Sequence, residues 1–374
     1  MRPVYLDHAA TSWPKPESVL LAAEEAVRYA GGNPGRGTHP LAETASELLY
    51  ACREEAADFF GSEPERTVFT PGATYSLNMA IRGLAEPGCH ILIDGMAHNA
   101  LLRPVLALKR EGICRADVYS ASADGEELLA DLESKIRPET KIVAATHQSN
   151  ICSRVLPVEK IAAFCRDRGL HFVLDAAQSA GRIPISADGW GISALCVPGH
   201  KGLNGLPGAG LLILGEDVKP KPLVYGGAGI RSLEEDMPPY LPERLEPGTL
   251  PLPAIAALLA GIRGIRAVGQ ERIALREREL SRLFVRGLGG IPGFRTAGET
   301  DGNVVSILHR EKTPSEIGEI LAQYGICVRT GYHCAPLAHR SLGTEKDGTV
   351  RVSFSASNSE KDVERILNVL GEID

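Results

Sequence analysis

The chain has 374 residues, enough for two domains. Hydrophobic residues make up 44% and charged residues 23%, which excludes a disordered, collagen-like or coiled-coil chain. Asp plus Glu number 47 against 40 Lys plus Arg, a net charge of −7 that argues against a nucleic-acid partner but leaves room for a local anion pocket.

The N-terminus lacks an apolar core and carries Asp7 early, so no secretory signal is expected. Two helices are predicted first, Glu17–Ala30 ended by Gly31-Gly32 and Ala42–Phe60 ended by Gly61. Short apolar runs follow at Val68–Thr70, Ile91–Asp94, Ile142–Thr146, Phe172–Asp175, Ala194–Pro198 and Leu211–Leu214. Helical periodicities lie between them, as in Leu101–Glu111, Glu126–Ile136 and Val158–Arg168. Continuous apolar runs separated by helices predict a largely parallel α/β sheet.

Lys219–Pro253 is rich in proline and glycine and reads as a long ordered excursion or a boundary. Ala254–Leu288 reads as one helical region. An α+β unit then follows: strand Val304–Leu308, helix Pro314–Tyr324, strands Ile326–Val328 and Thr349–Phe354, and helix Glu360–Leu370. The longest uncharged apolar stretch, Leu250–Ile262, is broken by Pro251 and Pro253 and falls short of the roughly 18 residues of a spanning helix, so no membrane partner is expected. The eight cysteines are scattered and form no CxxC, which points to a reducing cytoplasm.

Open α/β sheets bind ligands at the carboxyl ends of their strands. After Val68–Thr70 comes Pro71-Gly72-Ala73-Thr74 and then a helix from Tyr75: an anion site, or plain N-capping by Thr74. After Phe172–Leu174 comes Asp175-Ala176-Ala177-Gln178; a carboxylate ending an apolar strand needs a partner, or is an N-cap. After Ala194–Val197 comes Pro198-Gly199-His200-Lys201 and a glycine-rich run. A desolvated lysine there becomes an amine nucleophile; a solvated one is a surface residue. Cys334, in Arg329-Thr330-Gly331-Tyr332-His333-Cys334-Ala335-Pro336, is a candidate reactive thiol, whereas the other seven cysteines read as small buried hydrophobes. A phosphate site, a carboxylate and a lysine at neighbouring strand ends are together what pyridoxal 5'-phosphate requires.

These motifs, with Tyr5-Leu6-Asp7-His8-Ala9-Ala10-Thr11 at one end and Arg351-Val352-Ser353 at the other, make the chain resemble the class V aminotransferase superfamily of fold-type I enzymes, in its cysteine desulfurase and selenocysteine lyase branch. The resemblance implies a large domain with a mostly parallel seven-stranded sheet and a smaller C-terminal α+β domain. The boundaries expected are 1–20 for an N-terminal segment associated with the small domain, 21–260 for the large domain and 261–374 for the small one.

The resemblance also implies roles. Lys201 holds the cofactor and moves protons, Asp175 pairs with the pyridine nitrogen, and Gln178 and Asn150 reach the ring hydroxyl, Asn150 touching substrate as well. His98 stacks on the ring. Thr74 and His200 bind the phosphate with backbone help from Ala73, and Thr249 reaches it across a homodimer interface. Arg351 holds the substrate carboxylate, and Cys334 takes the sulfur as a persulfide. Its thiol proton would go to His98, or to His333 unless His333 only makes a structural hydrogen bond. Pro198 and Ala73 stand where relatives carry phosphate-binding hydroxyls, so backbone N–H groups carry more of that load. The substrate implied is L-cysteine, or L-selenocysteine, with a sulfur-acceptor protein or thiol as partner. A transaminase would use Lys201 and Asp175 without needing Cys334. A non-catalytic binding platform or sulfur relay would have no need of Lys201, Asp175 and Arg351 together. A metal site at His333, Cys334 and His339 matches no standard zinc spacing.

Overall fold

The computed structural model describes residues 3–373; residues 1, 2 and 374, at the outer ends of the expected segments 1–20 and 261–374, lie outside the described residues. In chain order the N-terminal part runs β1 (Val4–Tyr5), α1 (Glu17–Tyr29), α2 (Pro40–Phe60), β2 (Thr67–Thr70), α3 (Ala73–Leu84), β3 (Cys89–Asp94), α4 (Asn99–Arg110) and β4 (Cys114–Tyr119). Next come α5 (Gly125–Lys135), β5 (Thr140–Thr146), α6 (Val158–Asp167), β6 (His171–Asp175), α7 (Ala187–Trp190), β7 (Ala194–Pro198) and β8 (Gly210–Leu214). The C-terminal part holds α8 (Leu252–Val268), α9 (Gln270–Leu288), β9 (Phe294–Ala297), β10 (Val304–His309) and α10 (Pro314–Gln323). It closes with β11 (Ile326–Cys327), β12 (Arg329–Gly331), α11 (Pro336–Leu342), β13 (Thr349–Ser353) and α12 (Glu360–Gly371).

Seven strands form the large sheet in the order β2-β8-β7-β6-β5-β3-β4. All pair in parallel except β8, which runs antiparallel to β2 and β7. The central strands are buried, Ala194–Pro198 along its whole length and β6 from Phe172 to Asp175, because helices cover both faces. Each Leu, Ile or Phe so buried contributes about 1.5–3 kcal/mol of transfer free energy. A second sheet, β12-β13-β10-β9, is antiparallel and has its own core around Phe284, Val305, Ile366 and Phe354. The N-terminal strand joins this unit: Val4 pairs with Ile326 and Tyr5 with Cys327.

Three features differ from the sequence reading. Strand β4 was not anticipated, because Cys-Arg-Ala-Asp-Val-Tyr lies at the sheet edge and mixes exposed charges with apolar residues. The helical region from Ala254 breaks at Gly269, whose φ of 93° suits glycine, and α8 meets α9 at 80°. The buried α8 thus stays with the large sheet while α9 packs on α12. Strands β9 and β12 and helix α11 are too short to show periodicity. No single helix among the described residues is long and apolar enough to cross a membrane.

Candidate active site

A cavity of about 400 Å³ opens at the carboxyl ends of β2, β5, β6 and β7. Register sets its floor, because Thr146 at the end of β5 lies opposite Asp175 at the end of β6. One wall is the turn into α3. Gly72 has φ 145°, which only glycine adopts without strain, and it caps the helix with no side-chain bond. The capping role considered for Thr74 therefore belongs to Gly72. Thr74 sits inside the first turn, exposed and lining the cavity beside Ala73. The first N–H groups of a helix lack intrahelical partners and carry the positive end of its dipole, so this wall is an anion cradle.

Asp175 is 2% exposed, and its Oδ1 accepts from the Ala177 N–H at 2.9 Å. Burial raises its pKa. Lys201 stands in the same cavity with its pKa lowered to about 8, chiefly by burial; Asp175 opposes the shift, and Arg351, Arg182 and Arg329 add to it. The loop carrying Lys201 comes close because Gly202 has no side chain: a Cβ there would lie 2.1 Å from the Ala180 carbonyl oxygen. The N-terminal segment clamps the same loop. The His200 carbonyl accepts from Ser12 N–H at 3.1 Å, Thr11 Oγ1 at 3.0 Å and Lys15 Nζ at 2.9 Å. The His200 ring lines the cavity with Nδ1 3.1 Å from Thr11 Oγ1, its pKa lowered to about 4 by burial and then by Lys201.

His98 is the N-cap of α4. Its Nδ1 accepts from the Ala100 N–H at 3.0 Å, so Nε2 carries the ring hydrogen and is a donor. Burial, followed by Lys201, lowers its pKa to about 4. The cap leaves the ring with a donor at Nε2. Sequence reasoning missed Asp94, which ends β3 with the same signal as Asp175. Its carboxylate accepts from Met96 N–H at 2.7 Å and Thr146 N–H at 2.8 Å, which joins the ends of β3 and β5. Burial raises its pKa to about 7.

The second sheet and the loops beside it carry Arg351, His333 and Cys334. Arg351 on β13 is 1% exposed; its Nη2 donates to Asp7 Oδ1 at 2.7 Å and its Nη1 to the Asn150 carbonyl at 3.1 Å. Cys334 is exposed; of the seven cysteines read as buried hydrophobes six are buried, and Cys327, at the short edge strand β11, is only half-buried. The Cys334 carbonyl accepts from the Asn99 N–H at 2.7 Å, which ties the cysteine loop to the helix start beside His98. His333 is buried with Nε2 3.2 Å from both Thr349 oxygens, and burial lowers its pKa to about 2; the structural alternative for this ring is the one observed. Thr249 is exposed and does not line the cavity of its own chain.

Pyridoxal 5'-phosphate fits this site. Thr146 Oγ1, Asn150 Oδ1 and Gln178 Oε1 are buried and have no hydrogen-bond partner among the described residues, while their side chains line the cavity. Each such orphan costs about 1–3 kcal/mol. Three on one wall, with a carboxylate, a lowered-pKa lysine and an anion cradle, match a polar aromatic phosphate.

The family model for aminotransferase class-V matches residues 4–366. A probable cysteine desulfurase of Pyrococcus abyssi is 32% identical over 99% of this chain and 94% of its own length. A probable cysteine desulfurase of Methanothermobacter thermautotrophicus is 30% identical over the same shares. Among solved structures, the apo cysteine desulfurase of Thermococcus onnurineus NA1 superposes with a TM-score of 0.90 at 31% identity, covering 99% of this chain and 94% of that one. The S-sulfonic acid form of the cysteine desulfurase CsdA of Escherichia coli gives 0.89 at 26% identity over the same shares. The sheet order, the strand-end site and a match along nearly the whole length agree: this chain belongs to the aminotransferase class-V family.

Proposed function

We propose that this chain is a pyridoxal 5'-phosphate-dependent cysteine desulfurase, converting L-cysteine to L-alanine and holding the sulfur on Cys334. The observation that carries the reading is Cys334 itself: an exposed thiol, on a loop tied through Asn99 and Asn150 to the cavity that contains Lys201 and Asp175. A transaminase has no use for that arrangement.

When bound, the cofactor supplies an electron sink that acidifies the substrate Cα–H and weakens the bond to sulfur. Ala73, Thr74 and His200 would hold its phosphate, Asp175 its ring nitrogen, and Asn150 and Gln178 its ring hydroxyl, with Lys201 as the attached amine. Lys201, with its lowered pKa, is neutral often enough near neutral pH to take the substrate α-proton and to return it. Arg351 orients the substrate through its carboxylate. Cys334 is open to solvent, and its thiolate is the form that attacks the substrate sulfur. An S–S bond forms and the C–S bond breaks; the electron pair returns to carbon, where a proton completes alanine. His98 Nε2–H is a donor in that cavity. The persulfide then passes its outer sulfur to an acceptor protein or thiol.

We also read the active unit as a homodimer. Leu20, Leu21, Val27, Tyr29 and Leu41 are between 45% and 67% exposed on α1 and α2, apolar side chains that a second copy would cover. Thr249, outside its own cavity, would then reach the partner's phosphate. The eight unpaired cysteines suit a reducing cytoplasm.

The test is to incubate the loaded enzyme with L-cysteine, measure alanine and sulfide together, and map the persulfide. Alanine with persulfide on Cys334 supports the reading. Pyruvate with free sulfide, or amino transfer to a keto acid, removes it.

A further inference from the structure

Asn150 stands where three parts of the site meet. Its Nδ2 donates to the carbonyl oxygen of His333 at 2.8 Å. Its own carbonyl oxygen accepts from Arg351 Nη1 at 3.1 Å. Its Oδ1 is buried without a partner among the described residues, and the side chain lines the cavity that contains Lys201 and Asp175. The residue is 5% exposed, so these contacts are shielded from water.

The segment it grips needs anchoring. His333 and Cys334 are consecutive left-handed residues, with φ of 47° and 57°. Side chains with a Cβ adopt that conformation at a cost, and it persists only where the surroundings over-determine it. Three anchors do so here. Asn150 takes the His333 carbonyl, the Asn99 N–H takes the Cys334 carbonyl at 2.7 Å, and Thr349 faces the His333 ring at 3.2 Å. Of these anchors, Asn150 is the one that lines the cavity.

We propose that Asn150 is a positioning residue for the sulfur nucleophile. Its amide sets where the Cys334 turn sits relative to the floor of the cavity, and its main chain refers Arg351 to the same point. This goes beyond a contact with the cofactor ring and rests on the reading of Cys334 as the sulfur acceptor. Geometry is costly to lose here: a misplacement of about 1 Å between reacting groups lowers a rate by about 100-fold. Asn150→Asp is the informative change, because it keeps the shape, removes the donor and sets a carboxylate oxygen against the His333 carbonyl.

The experiment compares wild type with Asn150→Asp and Asn150→Ala as loaded enzymes, the visible cofactor band reporting folding and loading. Three rates are read: exchange of the L-alanine α-hydrogen with solvent, alanine formation from L-cysteine, and alkylation of Cys334 by iodoacetamide without substrate, mapped by peptide. Exchange needs Lys201 and the cofactor but no thiol. The expected result is a loss of about 100-fold in alanine formation, a loss of less than about tenfold in exchange, and a several-fold change in Cys334 alkylation. Equal losses in the first two rates with unchanged alkylation overturn the proposal and leave Asn150 a cofactor ligand only. If a variant fails to load, its alkylation is compared with cofactor-free wild type, and an unchanged rate there overturns it as well. If wild type itself yields no alanine from L-cysteine, the desulfurase reading fails, while the alkylation arm still decides whether Asn150 holds the loop.

Discussion

Arg351 gives one guanidinium hydrogen to Asp7 at 2.7 Å, while Asp7 is itself bridged to Ser353 on the strand that carries the arginine. The arginine proposed to take the substrate carboxylate thus already holds a carboxylate. The guanidinium is buried and its Nε has no partner among the described residues, so Asp7 supplies much of its compensation. Asp7→Asn would leave a poorly compensated buried cation, which costs about 3–5 kcal/mol of stability. The same change removes a competitor for the substrate. The variant should therefore melt earlier without ligand, bind L-alanine about fivefold or more tightly, and gain more thermal stability from it than wild type does. A thermal-shift titration with L-alanine checks this; equal or weaker binding by the variant would mean that Asp7 orients Arg351 and does not compete.

Cys334→Ala should still exchange the α-hydrogen of L-alanine, because Lys201 and the cofactor remain. Alanine formation from L-cysteine should fall by roughly 1,000-fold or more, since removal of a covalent nucleophile is not made up by binding. Selenocysteine should suffer less. Undiminished alanine, or a persulfide mapped to Cys327, would take Cys334 out of the mechanism and favour the transaminase reading.

Lys201 has a pKa lowered to about 8 in the cofactor-free chain, and the neutral amine is the form that attaches a carbonyl. The rate of cofactor loading should thus rise about tenfold per pH unit below that value and level off above it. An ordinary lysine would keep rising to a pH of about 10.4. Asp175 opposes the lowering, so Asp175→Asn should move the plateau to lower pH. Stopped-flow loading between pH 6 and 10, followed by borohydride reduction and peptide mapping, reads both; label on another lysine would refute the assignment.

Arg53 and Glu246 form a buried bidentate pair at 2.8 Å, and Glu246 Oε1 also accepts from the Phe69 N–H on β2. Arg36 donates to the carbonyls of Gly227 and Gly248 at 2.8 and 2.7 Å. These contacts pin the proline-rich excursion that presents Thr249. Glu246→Ala should cost about 3–5 kcal/mol, because it strands the Arg53 cation. It should also loosen cofactor retention in the proposed dimer. Denaturant unfolding, with sedimentation at several concentrations, measures both; a fully active, fully loaded monomer would contradict the shared site.

Much of the site was legible in the chain because its signals are local. An apolar run ended by a charge marks a strand end, so Asp175 and Lys201 stand out without any knowledge of their neighbours. A glycine before a helix marks the anion cradle, and a cysteine between glycine and proline marks the exposed thiol. Six of the large sheet's seven strands are apolar runs that can be read from the chain in this way. The edge strand β4 escaped because edge pairing does not demand burial, and the α8–α9 break escaped because periodicity continues through Gly269.

What only the tertiary structure decided is which distant residues share an atom-to-atom contact. Asp7 and Arg351 are 344 positions apart, and Asn150 and the His333 carbonyl 183 apart. Neither pair leaves a periodic trace, because a contact across the fold depends on how two sheets dock and not on spacing along the chain. The cap bond on His98 is local by contrast, two residues along the chain, but it too appears only once the start of α4 has folded. Composition and local pattern determined most of the elements and the chemical groups of this protein; the packing of those elements in three dimensions decided which charge and which carbonyl each group meets.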